Sequence, residues 1–375
     1  MAIIKLGKID KNLIPIIVSC VISFLNRLLT KIEDSKLFSH PILVNIISAF
    51  PKLFVVIPII KDKISSYKKK QQKSSNNIEL IYTDPKIDVT KGRGKYLILS
   101  STIYFIQGII VIYTSNIKSK NSWIWDILIL SLLYYLVFKS KLYLHHYLSI
   151  ILIILTGIIL DLVKGNLQED IKNNFPFFLL RFLRQILYSS CNIINKYLLY
   201  KKYSSVYEII LFNGIINLIL LGIFYIINYY YLDIDNFGQY FSNFSVLEFF
   251  ICLGLVVTQF GLYIGTLVTN KNNTPCHIFI ISVFGQFANY LNFSSYSIAA
   301  FISLIFIFFM TLVFIEVIEI NLWGLDKNTK RNIASRTEKE PSGIDLINIT
   351  DENEEHEEND IDEKDKNNNS NSFYD

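Results

Sequence analysis

Along this chain, apolar runs of roughly 17 to 26 residues alternate with short polar connections, ten times over. The runs are Leu13 to Leu29, His40 to Ile60, Tyr96 to Thr114, Ser122 to Phe138 and Leu142 to Val163, then Phe175 to Leu198, Glu208 to Tyr229, Val246 to Leu267, Pro275 to Leu291 and Ser297 to Leu322. At 1.5 Å per residue in a helix, each is long enough to cross a hydrocarbon layer about 30 Å thick. They lack the period-2 alternation of barrel strands and exceed the roughly 9 to 11 residues such a strand needs. Backbone polar groups in lipid must be satisfied within the segment, which leaves the helix as the spanning element. The pattern predicts an all-α polytopic membrane protein with ten transmembrane helices.

Five spans precede Lys164 and five follow it, and short matches recur in the same order in both halves. Asn26-Arg27-Leu28-Leu29 closes span one and Asn195-Lys196-Tyr197-Leu198-Leu199 closes span six, while Asn45 in span two answers Asn213 in span seven. After the long connection of the first half, Gln107 and Thr114 match Gln259 and Thr266. Asp126 to Ser131 then parallels His277 to Ser282, and Thr156, Asp161 and Asn166 parallel Thr311, Glu316 and Asn321. A repeat unit with an odd number of spans enters the membrane upside down relative to its twin, the layout of inverted-repeat transporters. The expected organisation is a short N-terminus (1–12), a first repeat (13–163) containing a basic loop (61–95), a second repeat (175–322) and a tail (323–375).

Composition agrees: 51% of residues are hydrophobic, and mean hydropathy is +0.37. The run after Lys5, Lys8 and Lys11 is longer than a signal-peptide core and lacks a small-residue cleavage site, so the N-terminus is expected to stay attached. Ten basic residues lie between Lys61 and Lys95, which the positive-inside rule assigns to the cytoplasm together with both termini. From Thr337 onward, fourteen acidic residues stand against three lysines, a net −11 that leaves +15 on the rest of the chain. So polar a tail is expected to be disordered. The first reading of Lys68, Lys69 and Lys70 is topology, the second contact with anionic lipid. Cys20, Cys191, Cys252 and Cys276 have neither metal-ligand spacing nor a paired framework, and are read as packing residues.

The five-plus-five architecture, the Asn-Lys-Tyr-Leu-Leu end of span six and the following Glu208 to Asn213 (EIILFN) resemble the drug/metabolite transporter superfamily, in particular its nucleotide-sugar-transporter-like branch. The resemblance covers about residues 13 to 322. It implies a solute carrier working by alternating access, in an endomembrane (Golgi, ER or vacuolar) ahead of the plasma membrane. The chain departs from that branch where Gly285-Gln286-Phe287-Ala288-Asn289-Tyr290 lacks the basic residue that ends the corresponding motif of span nine, so diphosphate recognition there is not implied.

Candidate binding residues cluster on span six. Arg181, Arg184, Gln185, Tyr188, Asn192 and Asn195 recur at intervals of three and four and form one polar stripe. A guanidinium at mid-depth costs at least about 2.5 to 3.5 kcal/mol on insertion scales, so it faces protein or a water-filled cavity. Arg184 reads as an anion-binding guanidinium or as a structural partner of Asp161 or another acid, and both readings are open. Lys52 follows Pro51 near the middle of span two, where a kink beside a cation suits a gate or binding site; otherwise the span ends early there. Tyr104, Gln107, Asn213, Thr258, Gln259, Tyr263, Gln286 and Asn289 supply uncharged polar groups at depth, as ligand contacts or helix glue. Gly261 and Gly265 read as helix-packing positions. Asp126 reads as an interfacial charge beside Trp123 and Trp125; His145 and His146 read as interfacial ahead of a metal site or proton relay, and Glu316 as a partner of juxtamembrane lysines ahead of a proton-coupling carboxylate. The sequons at Asn243 and Asn292 fall on the non-cytoplasmic side.

The favoured function is a secondary carrier of a small polar or anionic metabolite. It calls for a small-molecule substrate and a lipid bilayer, leaves a homodimer open, and calls for no nucleic acid, cofactor, metal or enzymatic step. A membrane-embedded transferase would need a positioned base with a nucleophile or paired carboxylates, and no acidic residue adjoins His145 and His146 in sequence. A receptor or scaffold acting through the acidic tail is the third reading.

Overall fold

The computed structural model describes residues 4–6, 13–32, 40–61, 64, 92–114, 125–139, 142–163, 175–232, 245–288, 298–321, 329 and 332. Most of the basic loop, both sequon asparagines, Asn289 and the acidic tail lie outside the described residues. Met1–Leu325 forms one compact unit, and of the second, Asp326–Asp375, only Thr329 and Asn332 are described.

The first unit is built from ten described α-helices. They are α1 (Ile14–Ile32), α2 (Pro41–Ala49), α3 (Arg93–Thr114), α4 (Trp125–Phe138) and α5 (Leu144–Val163), then α6 (Phe175–Tyr200), α7 (Val206–Ile227), α8 (Val246–Asn272), α9 (Ile278–Phe287) and α10 (Ile298–Phe314). Strand β1 (Ile4–Leu6) pairs antiparallel with β2 (Ile318–Ile320), with Lys5 opposite Glu319. Four segments are long and apolar enough to cross a membrane: Ile42–Lys61, Arg93–Thr114, Val206–Tyr231 and Val246–Asn272. Five shorter apolar helices accompany them, and α6 is the exception, 26 residues long but interrupted by Arg181, Arg184 and Lys196. Large apolar side chains such as Ile17, Leu136, Ile151, Ile159, Ile219, Val257 and Ile302 point outward and stay about half exposed or more. An apolar exterior on a helical bundle is the surface lipid requires, and a liability in water. The chain is an all-α membrane protein with a two-stranded ribbon added.

Local chemistry explains the element boundaries. Pro41 starts α2 at a position where its missing N–H is not needed. Pro51 then breaks the helix into a 3-10 turn over Phe50–Val55 before the span resumes to Lys61. Ser245 and Glu248 form a reciprocal capping box at the start of α8, and the Ser205 hydroxyl caps α7 by accepting from the Glu208 N–H. Span ten is shorter than its hydropathy predicts, since α10 stops at Phe314. Glu316 follows in the left-handed region (φ 64°), and the Ile-rich run after it is extended, as β-branched residues favour.

Packing is pairwise. α1 lies against α8 and α9, α6 against α3 and α4, α2 against α7, and α5 against α10. The largest apolar cluster joins α4, α5, α9 and α10 through Ile127, Leu130, Ile153, Phe279, Leu304 and Ile307. Gly261 and Gly265 let α8 close on Ile22 and Ser19 of α1, the packing role their spacing predicts. All four cysteines are free, three of them buried.

Candidate functional site

A cavity of about 380 Å³ opens among α1, α2, α3, α4, α6, α8 and α9. Its wall on α1 is Ser23, Asn26, Arg27 and Thr30, spaced i, i+3, i+4, i+7 and therefore on one helix face. Facing it from α6 are Arg184, Gln185 and Tyr188, with Asn45, Tyr104, Gln107, Asp126 and Gln286 completing the polar lining. Polar residues thus enter from both halves of the chain.

Charge in this space is unusual for a bilayer interior. Arg27 is exposed and Arg184 half-buried along the cavity wall, and neither guanidinium has a hydrogen bond or ion pair among the described residues. The two guanidiniums repel one another, and Asp126 attracts Arg184. Asp126 is 4% exposed, and its Oδ1 has no hydrogen-bond partner among the described residues; the same is true of Gln107 Nε2. Orphaned buried polar atoms around a space that size are groups a polar ligand or water would satisfy. Two cations against one anion leave the lining with a formal excess of one positive charge, matched to an anionic guest. A guanidinium pair can hold a carboxylate or phosphate through several parallel N–H donors.

The candidates from sequence divide by location. Arg184, Tyr104, Gln107 and Gln286 line the cavity, while Arg181, Lys52, Asn192, Asn213 and Gln259 do not. Lys52 is 1% exposed; its Nζ donates to Asn213 Oδ1 at 2.6 Å and sits 3.9 Å and 4.1 Å from the ring centroids of Tyr104 and Tyr263. It is therefore neither at a span edge nor on the cavity wall, but boxed behind it, sharing Tyr104 with the lining. The polar stripe of α6 splits along its length. Its Arg184-to-Tyr188 portion faces the cavity, the Asn192 side chain donates back to the Tyr188 carbonyl, and the C-terminal end of the helix binds its neighbours. Asn195 Oδ1 accepts from Ser100 at 2.6 Å, the Asn192 carbonyl accepts from Asn270 Nδ2 at 2.7 Å, and Lys196 Nζ donates to the carbonyls of Asn270, Lys271 and Asn273. That ammonium caps the C-terminus of α8, as a cation at the negative end of a helix should.

Two expectations, on Asp126 and His145, are corrected. Asp126 is a buried group on the cavity wall, because the turn that starts α4 faces inward against α6 rather than out to the interface. Glu316 meets His145 and His146, with Oε1 3.3 Å and 3.9 Å from their Nε2 atoms, so the histidines have an acidic neighbour that their own stretch of sequence lacks, brought by the turn after α10. His145 is accordingly 3% exposed instead of interfacial. The side chain of Asp161, the other proposed partner of Arg184, lies outside the described residues. Arg27 was legible only as a repeat marker; its i, i+3, i+4, i+7 company of Ser23, Asn26 and Thr30 was the available signal. The sequence matches no known family model and no curated protein.

Proposed function

We propose that this chain is a secondary transporter of the drug/metabolite transporter type, moving a small polar or anionic metabolite across a membrane by alternating access between two inverted five-helix repeats. The observation that carries the reading is the pair Arg27 and Arg184, one from each half, lining a single cavity with neither guanidinium hydrogen-bonded or ion-paired among the described residues. Such a pair is costly in lipid unless an anion or water completes it.

The packing supports the repeats. Exchanging each helix for the one five places along turns the contacts of α1 with α8 and α9 into those of α6 with α3 and α4, and maps the pairs α2–α7 and α5–α10 onto themselves. A bundle with that exchange symmetry has two related arrangements of the same contacts, which alternating access needs. Under this reading all ten helices cross the membrane, α6 is sheltered by its neighbours, and both termini face the cytoplasm of an endomembrane compartment.

Reconstitution tests it. Full-length protein in liposomes is assayed for counterflow of radiolabelled glucose 6-phosphate, UDP-galactose, glutamate and choline. One of the three anionic or zwitterionic solutes should exchange above protein-free liposomes, and Arg184→Ala should slow it about tenfold or more, the loss of at least 1.4 kcal/mol of binding. No exchange of any solute, or exchange indifferent to Arg184→Ala, removes the reading.

A further inference from the structure

Away from the cavity, His145 and His146 at the start of α5 and Glu316 just past α10 form a cluster whose ligand atoms lie within 4.8 Å of one another. The backbone singles out Glu316. Val317 N–H donates to the Leu312 carbonyl at 3.0 Å and Glu316 N–H to the Val313 carbonyl at 3.1 Å, a Schellman cap that places Glu316 at the left-handed position, φ 64°, where glycine is usual. A long side chain kept where backbone geometry disfavours it points to a task for that side chain. The second observation is independent. His145 is 3% exposed, and neither of its ring nitrogens has a hydrogen-bond partner among the described residues, although Nε2 stands 3.3 Å from Glu316 Oε1.

A metal ion is the obvious occupant, and the tautomer of His146 opposes it. His146 Nδ1 accepts a hydrogen bond from the Tyr143 N–H at 3.1 Å, so that nitrogen carries no proton and Nε2 carries it. A histidine ligating a metal through Nε2 needs the reverse, an Nδ1–H donated outward. That leaves two acceptors, His145 Nε2 and Glu316 Oε1, close enough to share one proton.

We propose that His145 and Glu316 form a proton-binding site that couples proton movement to transport, an inference that rests on the carrier reading above. In the loaded state the proton sits on His145 Nε2, giving an imidazolium beside the Glu316 carboxylate and a pair of zero net charge. Release returns that proton to water and leaves a neutral imidazole beside a carboxylate, net −1. The loaded pair ties α5, in the first half, to the end of α10, in the second; the unloaded pair loses that attraction and favours a more hydrated arrangement. Proton release and separation of the two helices at this end thus favour one another, which is what coupling requires. The titratable groups in contact with the pair among the described residues are Tyr143 and His146, whose rings lie 6.1 Å and 4.0 Å from that of His145; on the elements that carry the pair, Tyr147 is exposed on α5 and Glu319 is buried on β2.

Two measurements on the full chain test the site. In detergent, the infrared difference spectrum between about pH 5 and pH 8, where histidine titrates, should contain an imidazolium band that His145→Gln removes and Glu316→Gln shifts. Absence of both effects overturns the proton site whatever the transport result. In liposomes containing a pH-sensitive dye, acidifying the outside should drive accumulation of glucose 6-phosphate, UDP-galactose or glutamate together with lumenal acidification. Glu316→Gln should keep counterflow and lose accumulation. Counterflow indifferent to the gradient, accumulation surviving in Glu316→Gln, or zinc raising the melting temperature of the wild type but not of Glu316→Gln each overturns the inference; no counterflow of any solute overturns the carrier reading itself.

Discussion

Lys52 Nζ donates to Asn213 Oδ1 at 2.6 Å, joining the 3-10 break after α2 to the middle of α7. Tyr104 and Tyr263 close over the ammonium, so this cation is satisfied by one amide oxygen and two ring faces rather than by an acid. The ammonium is shielded from outside, because Lys52 is 1% exposed.

Removing the amide should therefore be expensive. A hydrogen bond to a charged group contributes about 1.5 to 3 kcal/mol, and Asn213→Leu is expected to destabilise by about that amount. Lys52→Met alone should cost less than the sum implies, and the double substitution should recover part of the loss, since an apolar pair leaves no stranded charge. Thermal unfolding in detergent of the two single variants and the double variant reads this coupling.

Gly214 is the next element of the same contact. A Cβ there would stand 2.8 Å from Lys52 Cβ and 3.4 Å from the Lys52 backbone carbon, neither of which can swing aside. Gly214→Ala should destabilise by about 1 to 3 kcal/mol, as overpacking does. Gly222→Ala, with nothing within 4 Å, should not destabilise and serves as the control.

In the cavity, Asp126 and the arginines should act with opposite signs. Arg27→Ala and Arg184→Ala remove donors to an anion and should each weaken its binding about tenfold or more, a loss of about 1.4 kcal/mol. Asp126→Asn keeps shape while removing the opposing charge, and should tighten anion binding a few-fold. Equilibrium binding of labelled glucose 6-phosphate, UDP-galactose and glutamate to each variant checks the signs.

At the end of α10, Glu316→Gly should be more stable than Glu316→Ala by about 1 kcal/mol, because glycine enters the left-handed region without steric cost. Both variants lose the approach to His145, so their difference isolates the backbone contribution. Paired melting temperatures measure it.

The helices were legible because lipid demands long uninterrupted apolar runs, and Pro51 announced its break for the same steric reason that breaks it. The ribbon was not, since three residues near each end of the unit pair across nearly the whole sequence, and no local pattern encodes that partner. Within the site, Arg184 stood out because a cation in an apolar run is rare. Arg27 sat near the end of its run and looked terminal, and Asp126 sat beside two tryptophans and looked interfacial. Which way a helix end turns is decided by its neighbours, here α6 and α9, and not by its own composition. The stripe on α6 misled in a similar way: periodicity places residues on one face but does not say where along it a cavity gives way to a packed helix.

The cations of α6 also bear on how the chain enters a bilayer. Arg181, Arg184 and Lys196 make this helix a poor candidate for solitary release from a translocon into lipid. α3 and α4, the helices it packs against, precede it in the chain, so under the ten-span reading proposed above they are available to shelter it as it inserts. Assembly of the second half is in that sense templated by the first, and severing the gene between Val163 and Phe175 would leave the downstream fragment without its insertion partner.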